Sequence, residues 1–127
     1  MQQAAKAYAR VAQATQSPRE LEANVLIKAA SRLQAIRDDW DGRRAELHDA
    51  LTFNRKLWTI LVTSATDAEN PLPQAIKDNI ATLALFIFNR TMAVTAEPTP
   101  DKLAPLININ REVAAGLRGM PQQANAA

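Results

Sequence analysis

Ser17-Pro18-Arg19-Glu20-Leu21-Glu22 decides how this chain folds. Ser17 is an N-cap residue whose hydroxyl accepts an orphan N–H of the first turn. Pro18 stands at the first helical position, where its missing N–H costs nothing. Glu20 falls three residues after the cap and can reach back to the Ser17 N–H, closing a capping box. The stretch predicts a sharp helix start, and apolar residues at Leu21, Val25, Ala29, Leu33, Ile36 and Trp40 extend it as one stripe. Asp41-Gly42 is a turn signal, and Gly42 suits a helix C-terminus.

The same grammar repeats outward. Before the cap, residues 3–14 are rich in Ala and Gln, with Tyr8 and Val11, and predict a weakly amphipathic helix. After Gly42 a helix is predicted from Arg43 to Ala65. Leu47, Leu51, Asn54, Trp58, Leu61 and Ala65 alternate steps of four and three, and Ala50, Phe53, Leu57 and Ile60 form an adjoining stripe. That width predicts packing against two neighbours. Asn54 lies within the first stripe, where a polar residue fixes register at a cost in stability. Asn70-Pro71-Leu72-Pro73 cannot continue a helix, because each proline disfavours helical geometry in the residue before it. The next helix is expected from Pro73 to Ala96. Its middle, Leu83 to Phe88, is apolar all round, which predicts a central position or a covering partner. Glu97-Pro98-Thr99-Pro100 ends it. A last helix is predicted from Pro105 to Leu117, with Leu106, Ile109, Val113 and Leu117 on one side. Gly116 and Gly119 mark its end. The expected architecture is all-α: a compact bundle of four to five helices with short loops, one domain over 1–119 and a disordered tail over 120–127.

Composition agrees. The chain has 127 residues, 47% hydrophobic and with three glycines, which suits one helical domain with a true core. The net charge of +2 is too mild to demand nucleic acid or membrane as a partner. Residues 1–37 hold six basic side chains against two acids, whereas Asp38, Asp39, Asp41, Glu46 and Asp49 crowd the next twelve positions. Ordinary solvated helix faces account for this better than a dedicated patch. There is no cysteine, so disulfides and thiolate metal sites are excluded. No signal peptide is legible, and the longest apolar stretch, Ile80 to Phe88, is too short to span a bilayer. A soluble, cytoplasmic protein is expected.

Chemistry is missing its parts. His48 is the single histidine, and without a cysteine or a second histidine it predicts neither a zinc site nor a Cys–His pair. Asp38-Asp39-Trp40-Asp41 lacks the spacing of a calcium loop. No glycine-rich phosphate loop and no nucleophile elbow exist. The reading is a non-enzyme without cofactor or metal. Arg19, Arg32, Arg37, Arg43, Arg44, Arg55 and Lys56 could touch phosphates, but their helical spacing scatters them. Protein surface is what remains. Trp58 reads as core, and Trp40 stands evenly between core and interface.

Ser17 to Glu22, the Trp40-Asp41 pair, Asn54-Arg55-Lys56-Leu57-Trp58-Thr59, Asn70 to Pro73 and Leu106-Ile107-Asn108-Ile109-Asn110-Arg111 occur in that order. Together they resemble FlaF, a family of bacterial flagellar biosynthesis regulators, from about Ala4 to Gly119. The resemblance implies a small cytoplasmic protein required for flagellin to be made and secreted. Its implied activity is that of a flagellin-binding, export-chaperone-like factor, with flagellin and FlbT as partners. Action on flagellin messenger RNA together with FlbT is the alternative. A helix-receiving groove is then expected beside the last two helices, near Phe86, Phe88, Ile107 and Ile109, with Trp40, Arg55 and Arg111 as further partner-binding candidates. Capping explains Ser17, Pro18 and Glu20, and a rigid turn explains Asn70 to Pro73. Asn54 and Asn110 read as buried ties between helices. Arg19, Arg55 and Arg111 resist a purely structural account.

Overall fold

A computed structural model describes residues 18–119. The expected helix over 3–14, the Ser17 cap and the tail over 120–127 lie outside the described residues. Four helices follow one another: α1 (Pro18–Asp38), α2 (Leu47–Ala65), α3 (Gln74–Ala96) and α4 (Ala104–Gly119). No strand occurs among the described residues. α1 packs most extensively on α4 and also on α2, α2 packs on α3, and α3 touches α4 only lightly. The helices therefore sit in the order α4, α1, α2, α3, in a row that curls without closing.

α1 is helical from Pro18, the first described residue, but its buried face differs from the predicted stripe. Ala23, Leu26, Ala30 and Leu33 are fully buried, whereas Leu21 and Val25 are 41% and 37% exposed. The reason is geometric. A line drawn in strict steps of four drifts around a helix of 3.6 residues per turn, by roughly 120° over three steps. The buried line alternates threes and fours and so stays on one side.

The helix also ends before Trp40. Asp39 leaves helical geometry (φ −131°, ψ 62°), and its carboxylate caps a separate turn, Trp40–Arg43, by accepting the Gly42 N–H at 3.3 Å. Gly42 is thus inside a capped turn, and its φ is not positive. It is small for another reason: a Cβ there would lie 2.6 Å from the Asp39 carboxylate oxygens. Gly42→Ala should push the carboxylate aside and cost about 1 kcal/mol, the usual value of a cap. A urea melt showing no loss would mean the cap contributes nothing. A 3-10 turn, Arg44–Glu46, then leads into α2.

α2 carries the predicted line intact. Leu47, Leu51, Asn54, Trp58, Leu61 and Ala65 are all buried. The helix packs against two neighbours as expected, α1 and α3, and Ala50 and Leu57 of the second stripe are covered, whereas Phe53 is half-buried beneath the Arg32 guanidinium at 5.4 Å and Ile60 is 69% exposed. After α2, Asn70 organises the proline turn from both ends of its amide. Its Nδ2 donates to the Ser64 carbonyl at 3.0 Å, and its Oδ1 accepts the Leu72 N–H at 2.9 Å. Leu72 is thereby tucked into the core, and the Lys77 ammonium closes the loop onto the Asp67 carbonyl at 2.9 Å.

α3 lies at the edge of the row, not at its centre. Ala84 and Ile87 are buried, but Leu85 and Phe86 face outward. A 3-10 turn, Pro100–Leu103, inserts the fully buried Leu103 against α1 and connects to α4. Pro105 falls in the first turn of α4, where a missing N–H is harmless. The long contact between α1 and α4 is antiparallel, since Arg118 near the end of α4 bonds Glu20 (3.3 Å) and Asn24 near the start of α1.

Three helices meet at one buried polar knot. The Trp58 indole N–H donates to Asn110 Oδ1 at 2.8 Å. Asn110 Nδ2 donates to Asn54 Oδ1 at 2.7 Å and to the Leu26 carbonyl at 3.3 Å. All three side chains are fully buried. Asn110 has spent its hydrogen-bonding groups on three partners across two other helices, and this fixes the register of α4. Asn54 Nδ2 has no partner among the described residues. Both asparagines are buried ties between helices, as expected from sequence, and the structure adds that they bond each other.

Glu22, half-buried on α1, carries a pH dependence. Burial raises its carboxyl pKa above the usual value, and the nearby Arg19 charge opposes the rise. A raised carboxyl pKa means the folded chain holds the proton more tightly than the unfolded one. This contribution therefore favours folding at acid pH and is lost as pH climbs from about 4.5 through the folded value. Glu22→Gln should flatten that part of the stability–pH curve, read as urea midpoints between pH 4 and 7. An unchanged slope would remove Glu22 as its source.

Candidate functional site

Because α3 and α4 barely touch, a groove opens between them. Ile76, Ile80 and Leu83 form the α3 wall, and Ile109, Val113 and Leu117 form the α4 wall. Asn79 and Glu112 stand at the polar rim, and Gly116 leaves the end of the α4 wall low. Ile80 and Leu117 are buried at the base, whereas Ile76, Leu83, Ile109 and Val113 are half-buried. The walls run antiparallel, since the short connection over 97–103 turns the chain back from α3 into α4. The cavity holds about 160 Å³. That is small for a drug-sized ligand, which needs roughly 300–1,000 Å³, but enough for one or two apolar side chains.

Helical spacing explains both walls. Ile76, Ile80 and Leu83 step by four and three, and the same line continues to the buried Ile87. Ile109, Val113 and Leu117 belong to the line read on the last helix. Leu117 is a core residue, whereas Ile109 and Val113 pack against the core only in part, because the centre of the α4 contact with α1 lies at Leu106, Ile107, Asn110 and Ala114.

The groove lies between the two helices expected to form it, but one helical half away from the expected place. Of the partner-binding candidates, Ile109 lines it. Ile107 is 1% exposed and belongs to the core, so it is unavailable to a partner. Phe86 is 41% exposed on the outer face of α3, where the Arg90 guanidinium covers its ring at 5.4 Å. Phe88 is half-buried and packs against the core. Trp40 is half-buried at the corner after α1, with Arg44 over its ring at 5.6 Å. Arg111 is exposed on α4, and Arg55 is exposed on α2, beside a second depression. The candidates are thus dispersed over several faces. The α3 wall from Ile76 to Leu83 was missed, although its four-three spacing was legible, because the uninterrupted apolar run from Leu83 to Phe88 is the louder signal.

The matching family model is described as flagellar protein FlaF, and it covers residues 4–117. The chain belongs to the FlaF family. No curated protein and no solved structure matches it. Within this FlaF chain the recurring phrases are mostly scaffold: Asn54 and Trp58 of one phrase bond Asn110 of another, and Glu20 of the first pairs with Arg118. Among the described residues no cluster of three metal-ligating side chains occurs. α3 is the one described helix long and apolar enough to cross a membrane by length and composition, with 28% of that stretch buried. Ile80, Ala84, Ile87 and Val94 of this helix are core residues, and its N-terminal half forms the groove wall.

Proposed function

We propose that this FlaF-family protein acts in the cytoplasm as an export-chaperone-like factor, holding an amphipathic helix of flagellin in the groove between α3 and α4. The observation that carries the reading is the pair of apolar walls that leave a gap, with room for one or two apolar side chains of a docked helix, instead of packing together. From Ile109 to Leu117 the groove floor runs eight residues, roughly 12 Å at 1.5 Å per residue. One or two apolar anchors a helical turn apart on a bound helix fit within that length. Glu112 at the rim favours an occupant with a basic residue beside its apolar face and sets orientation more than affinity. Membership in a flagellar family supports flagellin as the partner. A flagellin terminal helix lodged here would be withheld from polymerisation until export.

Isothermal calorimetry with full-length and terminally truncated flagellin tests the reading. Micromolar or tighter binding that disappears on truncation is the expected result. No binding at high concentration would overturn it and leave FlbT or flagellin messenger RNA as the direct partner.

A further inference from the structure

A second depression, about 390 Å³, lies between the first half of α2 and the last turns of α3, away from the groove. Its floor is apolar, made by the buried Leu51, the 64% exposed Met92 and Ala96. Its polar groups are one-sided. The hydroxyls of Thr91 and Thr95 already donate to the carbonyls of Ile87 (2.7 Å) and Thr91 (2.9 Å) within α3. The donors left facing the basin are the Arg55 guanidinium, the His48 ring and the Thr52 hydroxyl, spaced along one face of α2. Arg55 makes no ion pair with any described residue. No carboxylate lines the basin: Asp49 lies one step around α2, and Glu97, just past Ala96, is paired with Lys102 at 3.6 Å.

An unpaired guanidinium above an apolar floor matches a carboxylate that is itself flanked by apolar side chains. We propose that this basin is a docking site for an acidic–apolar segment of a partner protein, with one Asp or Glu carboxylate on Arg55 and neighbouring apolar side chains on Met92 and Leu51. The fork of Arg55 can hold a carboxylate through two parallel N–H bonds. A single arginine cannot follow a phosphate backbone, which would need several cations along its track. The site is independent of the groove: it lies on other residues and selects the opposite charge.

The test is a nitrogen-15 and methyl carbon-13 NMR titration of the full chain with two blocked peptides, acetyl-Ala-Leu-Glu-Leu-Ala-amide and its Gln counterpart. The Glu peptide should shift the signals of Thr52, Arg55 Nε–H, Thr95 and the Met92 methyl. Binding should weaken at least tenfold with the Gln peptide and at least tenfold with Arg55→Ala, whose exposed position leaves the thermal melt unchanged. Arg55→Lys should recover part of the loss, and Met92→Ser should weaken both peptides alike. Equal response to the Glu and Gln peptides, or none at millimolar concentration, would overturn the proposal. So would tighter binding of hexauridylate to the same residues, which would make the basin a phosphate site.

Discussion

Asn110→Ala should destabilise the fold by about 3 kcal/mol or more. Three losses coincide. The Trp58 indole N–H keeps its full burial and loses its acceptor, as Asn110 Oδ1 is its partner. Asn54, already without a partner for Nδ2, loses the bond to Oδ1 as well. A cavity opens at a position with no solvent access. Urea denaturation followed by tryptophan fluorescence measures the loss, and Trp58 reports the knot itself. The combined Asn54→Leu, Asn110→Leu variant should cost clearly less than the sum of its single variants, because it removes donor and acceptor together. Strict additivity would show that the knot is not a cooperative unit.

Ile109→Glu together with Val113→Glu should abolish flagellin binding, by at least a hundredfold or about 2.7 kcal/mol. Both side chains are half-buried on the α4 wall, so each charge projects into the groove where a bound helix would have to cover it. The cost to folding should be modest, about 1–2 kcal/mol, because neither residue is sealed in the core. Leu85→Glu supplies the contrast. Leu85 is 66% exposed on α3 and does not line the groove, so its charge should leave binding intact. Binding lost with Leu85→Glu and kept with the double variant would move the docking surface to the outer face of α3.

Most of the scaffold was legible in the residues. The all-α class, the α2 line from Leu47 to Ala65, the proline turn and the burial of Asn54 and Asn110 as polar ties between helices all follow from local rules. What escaped depended on relations between helices. The Leu21–Val25 line was misread because steps of four drift, and which drift is tolerated depends on where α2 and α4 lie. The apolar run from Leu83 to Phe88 suggests a central helix or one covered by a partner, and of these the central position is excluded, since α3 sits at the edge of the row. A run with no polar side gives no direction, so only packing could reveal that Ala84 and Ile87 turn inward while Leu85 and Phe86 turn out. The site suffered most for the same reason. A groove is a gap between two elements, and periodicity within either one marks an apolar face without saying whether a neighbour covers it. Arg55 was singled out without a reason that the residues alone could supply; its surroundings on α2 and α3 supply one.

The most extensive helix contact joins the first described helix to the last, and the bond from Asn110 reaches Leu26 across 84 residues. During synthesis α1 must therefore wait for α4. At 5–20 residues per second that interval is roughly 4–17 s, during which Ala23, Leu26 and Leu33 have no partner of their own on that side. α2 and α3 form a neighbouring hairpin and can assemble first. The chain thus keeps its first helix available to ribosome-bound holding factors until its last one is complete, and any premature stop before Asn110 removes the tie on which both ends depend.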